Sequence, residues 1–234
     1  MIEIKNVTKK YNEKVAINNI SFNVNNGDIF AFIGHNGAGK TTLIKSIVGI
    51  HDFDEGEILI NGKSIKKNPI ACKKEIAFIP DNPELYENMT AIEFINFMCD
   101  MYEIDEKTRK DNINKYSKIF DIEDNLNDLI GSFSHGMKQK IALISALAHN
   151  PKILIMDEPF VGLDPIAVHS VKEIMNEMVK EGKIIFYSTH ILDVAEKLCS
   201  RVAIIKRGEL VKVGSMDEIK GDKSLEKVFL ELES

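Results

Sequence analysis

Four short stretches carry side chains able to do chemistry on a phosphate. The first is "GHNGAGKT", Gly34 to Thr41, which fits G-x-x-x-x-G-K-[ST]. Glycines there let the backbone wrap closely, so that its N–H groups point inward at phosphate oxygens, and the following helix start adds positive potential. Lys40 is expected to bridge β- and γ-phosphates, and Thr41 to offer its hydroxyl to Mg²⁺. A glycine-rich turn that binds nothing is the bland alternative. The apolar strand before the motif and the helix after it weigh against that. The second stretch, "ILIMDEP", is an apolar strand ending in Asp157 and Glu158. Strand ends at the carboxyl edge of an open α/β sheet are where ligands bind. There Asp157 would hold Mg²⁺, through water, and Glu158 would orient or deprotonate an attacking water. Alone, such a pair is usually a solvated turn. The third, "FYSTH", ends another strand in Thr189-His190. The fourth, "SHGMKQK", Ser134 to Lys140, is a polar turn that caps an apolar helix.

Positioning these stretches requires a sheet with its helices. From Met1 to Gly62 the pattern is strand and turn. "MIEIKNV" and "AINNISFNVNNG" alternate, and "EILINGK" carries an Asn-Gly hairpin turn. "DIFAFIG" is a continuous apolar run, as in a strand buried on both faces, and a helix over about 40–48 follows it. From about Pro83 to Asn150 the period becomes helical, with a capping box at Thr90 and Glu93. Strand–helix alternation resumes at Pro151. Asp164-Pro165 starts a helix, Gly182 ends it, and "RVAIIKRGELVKVG" turns at Arg207-Gly208. The tail "DKSLEKVFLELES" reads as a helix. The expected fold is α/β: a phosphate-loop NTPase core with a mostly parallel sheet, an N-terminal antiparallel β-subdomain and an inserted α-helical subdomain. Residues 1–82 and 151–214 would form the core, 83–150 the helical insertion and 215–234 the tail.

At 234 residues the chain is long enough for one sizeable core. Its formal charge of −6 and lack of a basic arm argue against a nucleic-acid partner. Cys72, Cys99 and Cys199 stand far apart without a CxxC and read as reduced thiols. No apolar run reaches the ~20 residues a membrane helix needs, and the N-terminus has no signal core.

These pieces, in this order, resemble the nucleotide-binding subunit of ATP-binding cassette (ABC) transporters from Met1 to about Gly214. The resemblance implies that Tyr11 stacks on adenine. "GHNGAGKTT" matches the Walker A loop, so that Gly34, Asn36, Gly37, Ala38, Gly39, Lys40, Thr41 and Thr42 would hold ATP. "ILIMDEP" matches Walker B with its catalytic glutamate, "GLDP" the D-loop with Asp164 at a dimer seam, and His190 the switch histidine. Catalysis would then rest on Glu158, His190 and Lys40, and Mg²⁺ on Thr41 and Asp157. Two places depart from the family. "FSHGM" stands where the signature usually reads Leu-Ser-Gly-Gly-Gln. Ser134, Gly136 and the helix start survive to meet a γ-phosphate, while His135 is either an added donor or a tolerated surface substitution. Asp81 replaces the usual glutamine after Pro80. It either reaches Mg²⁺ through water or faces solvent until a partner docks.

Both variants look like the branch that pairs with short type-2 exporter permeases. The resemblance thus implies a Mg²⁺-ATPase energising a permease, held at the cytoplasmic face of the membrane. It implies a head-to-tail pair with a second copy or paired subunit, with a docking surface around Asp81 to Tyr86 and Phe94 and Phe97. A non-transport ATPase of the same superfamily is the alternative, usually marked by a coiled-coil insertion, zinc module or second cassette that this chain lacks. A GTPase needs a guanine-reading N-K-x-D, and the Asn114-Lys115 pair continues Tyr-Ser.

Overall fold

The computed structural model describes residues 1–233. Two sheets meet around the phosphate loop. The first is antiparallel, in the order β2 (Lys14–Val24), β1 (Ile2–Tyr11), β4 (Glu55–Ile60), β5 (Lys63–Ser64). Its strands alternate buried and exposed residues, as in a sheet with one wet face. The expected Asn61-Gly62 turn joins β4 to β5 with both residues at positive φ.

The second sheet has the order β10 (Glu209–Ser215), β9 (Arg201–Lys206), β3 (Ile29–Ile33), β8 (Ile184–Thr189), β7 (Ile153–Asp157), β6 (Ile76–Ile79). Every pair is parallel except the β9–β10 hairpin. β3, β7 and β8 are buried along their whole length, which explains their continuous apolar runs. The register decides where the chemistry sits. Ile33 pairs with Thr189, and Asp157 with Ser188. The phosphate loop, the two carboxylates and His190 therefore leave one edge of one sheet.

Helix α1 (Lys40–Ile47) follows the loop, and the short α2 (Pro69–Lys73) precedes β6. Between β6 and β7 lie α3 (Ala91–Met101), α4 (Glu106–Ile119) and α5 (His135–Ala148). The capping box at Thr90 and Glu93 forms as the sequence predicts. Helices α6 (Pro165–Lys180) and α7 (Leu192–Leu198) flank β8. The tail folds into α8 (Met216–Lys220) and α9 (Leu225–Glu233); Ser234, the last residue of the expected tail, lies outside the described residues. Leu225, Val228 and Phe229 of α9 are buried in the main core. Among the described residues no helix is long and apolar enough to cross a membrane.

Candidate active site

Lys40 begins α1 and is only 6% exposed. Its ammonium donates to the Gly34 carbonyl at 2.7 Å and the His35 carbonyl at 3.3 Å, and lies 3.4 Å from Glu158 Oε1. The loop thus folds around its own lysine. Arriving phosphate oxygens would find a cation already desolvated and aimed inward. Gly39 has φ 111, and a Cβ there would lie 2.6 Å from the Ala16 carbonyl, so only glycine lets the loop close onto β2.

Thr41 Oγ1 donates to Asp157 Oδ2 at 2.6 Å, and Ser188 Oγ donates to Asp157 Oδ1. Asp157 is 3% exposed, and both oxygens are tied to hydroxyls. Glu158 follows at φ 49, a left-handed conformation that non-glycine residues seldom adopt. Its N–H donates to the Ser188 carbonyl at 3.2 Å and to Ser188 Oγ at 3.3 Å. That turn sends its carboxylate back toward Lys40 and toward His190, whose ring Nδ1 is 3.0 Å from Glu158 Oε2. The other oxygen, Oε1, is buried with no hydrogen-bond partner among the described residues. Lys40, 3.4 Å away, offsets its charge, and its hydrogen-bonding capacity is left for a ligand or water.

A cleft of about 770 Å³ opens over these groups, lined by Tyr11, Lys14, Val15, Ala16, Asn36, Gly37, Lys40, Thr41, Thr42, Asp81, Asp157, Glu158 and Arg207, among others. Tyr11 stands at its mouth, 42% exposed, with its hydroxyl 2.7 Å from His51 Nδ1. Its ring can present a face to a ligand base. Asp81 reaches the same cleft. Desolvation there, with the negative charges of Asp157 and Glu158, holds its carboxyl above the ordinary value. The sequence gives Lys14, Val15 and Ala16 no site role and marks Arg207 only as a turn residue. No motif surrounds them, and only the way β2 and the β9–β10 turn pack against the loop brings them in.

The donor chemistry of the cleft decides whether Mg²⁺ fits. Among the described residues no three His, Cys, Asp or Glu side chains close on one point. Mg²⁺ does not ask for such a cage, since it keeps several waters and takes one or two protein oxygens plus phosphates. Thr41 Oγ1 and Asp157 Oδ2 supply such a pair of oxygens, so the residues fit the ion.

The other expected residues lie off this cleft. Ser134 caps α5, accepting from the Met137 N–H at 3.3 Å, and is exposed. His135 packs on Gly162, where an added Cβ would lie 2.5 Å from its Cδ2. Asp164 caps α6 by accepting from the Ala167 N–H at 2.8 Å, and its Oδ2 is 3.2 Å from Lys140 Nζ. Those two contacts hold its carboxyl below the usual range. Ser134, His135 and Gly136 do not line the cleft that holds Lys40.

Residues 17–161 match the protein family described as ABC transporter. The ABC-type transporter ATP-binding protein EcsA of Bacillus subtilis (strain 168) is 35% identical over 99% of this chain and 96% of its own length. The bacitracin transport ATP-binding protein BcrA of Bacillus licheniformis is 35% identical over 94% of this chain and 71% of its own. The solved structure of an ATP-binding subunit of an ABC transporter superposes with a TM-score of 0.97 at 34% identity, covering all of both chains. A dimeric, post-hydrolysis ATP-binding cassette, MJ0796 with ADP and Pi, gives a TM-score of 0.83 at 25% identity, covering 92% of this chain and 99% of that one.

Proposed function

The chain belongs to the ABC transporter family of ATP-binding proteins, and from that premise we propose the part each residue takes. It is the ATP-binding and ATP-hydrolysing subunit, and it energises a separate membrane permease. Lys40 and the loop N–H groups hold the β- and γ-phosphates, Thr41 and Asp157 hold Mg²⁺, and Tyr11 stacks on adenine. Bound there, Mg²⁺ would neutralise the charge that builds up on the phosphates. Glu158 takes a proton from the attacking water, and His190 holds Glu158 in place and contacts the γ-phosphate side. One observation carries this assignment: Lys40, Glu158 and His190 are already linked in one line, with Oε1 of Glu158 ion-paired to Lys40 and Oε2 held by His190.

Ser134 is exposed and Gly136 half-buried on a helix start outside their own cleft, so we assign them to the second chain's ATP. The dimeric form of a related cassette supports a pair of this kind. The permease would meet the surface beside Asp81. There Tyr86 is 57% and Phe97 39% exposed, with ring centroids 5.9 Å apart, while Phe94 is buried and serves the core. Such a partner would hold the chain at the cytoplasmic face of the membrane. The bacitracin transport relative supports a role in transport, and we assign the partner to the exporter class.

Glu158→Gln tests the chemistry. ATP binding should persist while turnover falls by about a thousandfold or more, the scale set by loss of a general base together with positioning of the attacking water. Turnover within tenfold of wild type would remove Glu158 from its role. Lys40→Ala should weaken ATP binding, as measured by titration; unchanged affinity would contradict its contact to the phosphates.

A further inference from the structure

The two-residue turn between β9 and β10 is Arg207-Gly208, with φ 51 and 86. Both positive values make it the hairpin turn whose first position favours asparagine, aspartate or glycine. The same fold contains that turn with its preferred residue, Asn61-Gly62 at φ 47 and 77, away from the cleft. An arginine in the left-handed region is disfavoured relative to the residues suited to it. Local preference therefore does not account for Arg207, and such departures concentrate where a side chain has work to do.

Its surroundings say what that work is. The Gly208 N–H donates to the Ala38 carbonyl of the phosphate loop at 2.9 Å, and the Gly208 carbonyl accepts from the Asn18 N–H of β2 at 2.8 Å. The turn is thereby wedged between loop and β2, and Arg207 lines the cleft with Tyr11, Lys14, Val15 and Ala16. Among the described residues no hydrogen bond or ion pair is recorded for its guanidinium. Strand order fixes the side. β3 delivers the loop; β8, β7 and β6, bearing His190, the carboxylates and Asp81, lie to one side, and β9–β10 to the other. The acids occupy the γ-phosphate and metal end, so Arg207 faces the opposite end of the nucleotide.

We infer that Arg207 grips the nucleoside and α-phosphate end of bound ATP, setting affinity without touching the bond that breaks. The inference rests on the nucleotide reading above. A planar guanidinium suits this place, since it can lie on a purine face or donate in pairs to ribose and α-phosphate oxygens. An interaction equal in ground and transition states changes KM and leaves kcat alone.

Arg207→Asn is the test, because asparagine suits the turn and the hairpin stays intact. ATP and ADP affinities, by calorimetric titration of the purified chain, should both fall about three- to tenfold, by the same factor, with kcat unchanged. Unchanged affinity would overturn the inference. So would a loss for ATP but not ADP, which would put the side chain at the γ-phosphate, or a fall in kcat. A wild-type chain that binds neither nucleotide would sink the underlying reading as well, and would do so independently of the variant.

Discussion

Single residues at this site are defined by what they exclude as much as by what they touch. Gly162 and His135 show it. A Cβ at 162 would lie 2.5 Å from the His135 ring, and the backbone there has φ 80. Gly162→Ala should therefore be destabilising twice over, through the left-handed backbone and through the clash. The backbone part is about 1–2 kcal/mol, and at roughly 2–4 °C per kcal/mol for a chain of this size it alone lowers Tm by about 2–8 °C. Adding His135→Ala should recover the clash part only. Full recovery in the double variant, measured by thermal unfolding, would show that the backbone costs nothing there. Residue identity was readable in the sequence where a motif surrounds it. Lys40, Thr41, Asp157 and Glu158 stand in patterns that few other structures need, and the fold brings all four together. Arg207 and Lys14 stand in no pattern, and contact with the cleft arises only after two sheets have packed. Asp81 lies between these cases: its position after Pro80 marks it, but only the fold sets it beside two further carboxylates.

Elements carry the next level, and two of their junctions can be tested. The first is aromatic. His149, at the end of α5, stacks on Tyr102, at the end of α3, with centroids 3.7 Å apart, and the Tyr102 hydroxyl donates to the Ile76 carbonyl of β6 at 3.2 Å. Burial lowers the His149 pKa from 6.5 to about 4. The folded state thus keeps a neutral ring where the unfolded chain takes up a proton. Stability from this group is complete above about pH 6.5 and is lost as pH falls toward 4, by up to about 3 kcal/mol. His149→Phe should flatten that part of the stability-versus-pH curve; an unaltered slope between pH 4 and 6.5 would remove His149 as its source. The second junction is the tail. Phe229 of α9 is buried, and its ring meets His35 of the phosphate loop at 5.0 Å, edge-on. Phe229→Ala should cost about 3 kcal/mol, or roughly 6–12 °C in Tm, and a change below 2 °C would mean α9 is not part of the core. The helix itself was legible from its spacing, since Leu225, Val228 and Phe229 recur at helical intervals. Its docking was not, because the same apolar stripe would suit several surfaces. The buried strands β3, β7 and β8 were plain for the opposite reason: a short apolar run bounded by turns leaves few alternatives to a sheet centre.

At the scale of the whole molecule, the proposed assignment makes one cleft half of a site that a second chain completes. Lys40, Thr41, Asp157 and Glu158 line it and His190 contacts Glu158 from the same sheet edge, while Ser134 and Gly136 stand at a helix start outside it. The loop from Glu158 to Asp164 joins the two regions within the chain. Glu158 sits in the cleft, while Gly162 and Asp164 bear on His135 and Lys140 of α5. A head-to-tail pair would let each chain complete the other's site, and this arrangement has a consequence that a self-contained site lacks. Lys40→Ala removes the phosphate grip of one chain; Ser134→Glu places a negative charge where the other chain's γ-phosphate would arrive. Each variant alone should be inactive. Mixed in equal amounts, they form mixed pairs in about half of all dimers, and each mixed pair holds one site with both defects and one with neither. ATPase activity should return to about a quarter of wild type if the sites act independently. A self-contained site predicts instead that Ser134→Glu alone stays active, because Ser134 does not line the cleft that holds Lys40.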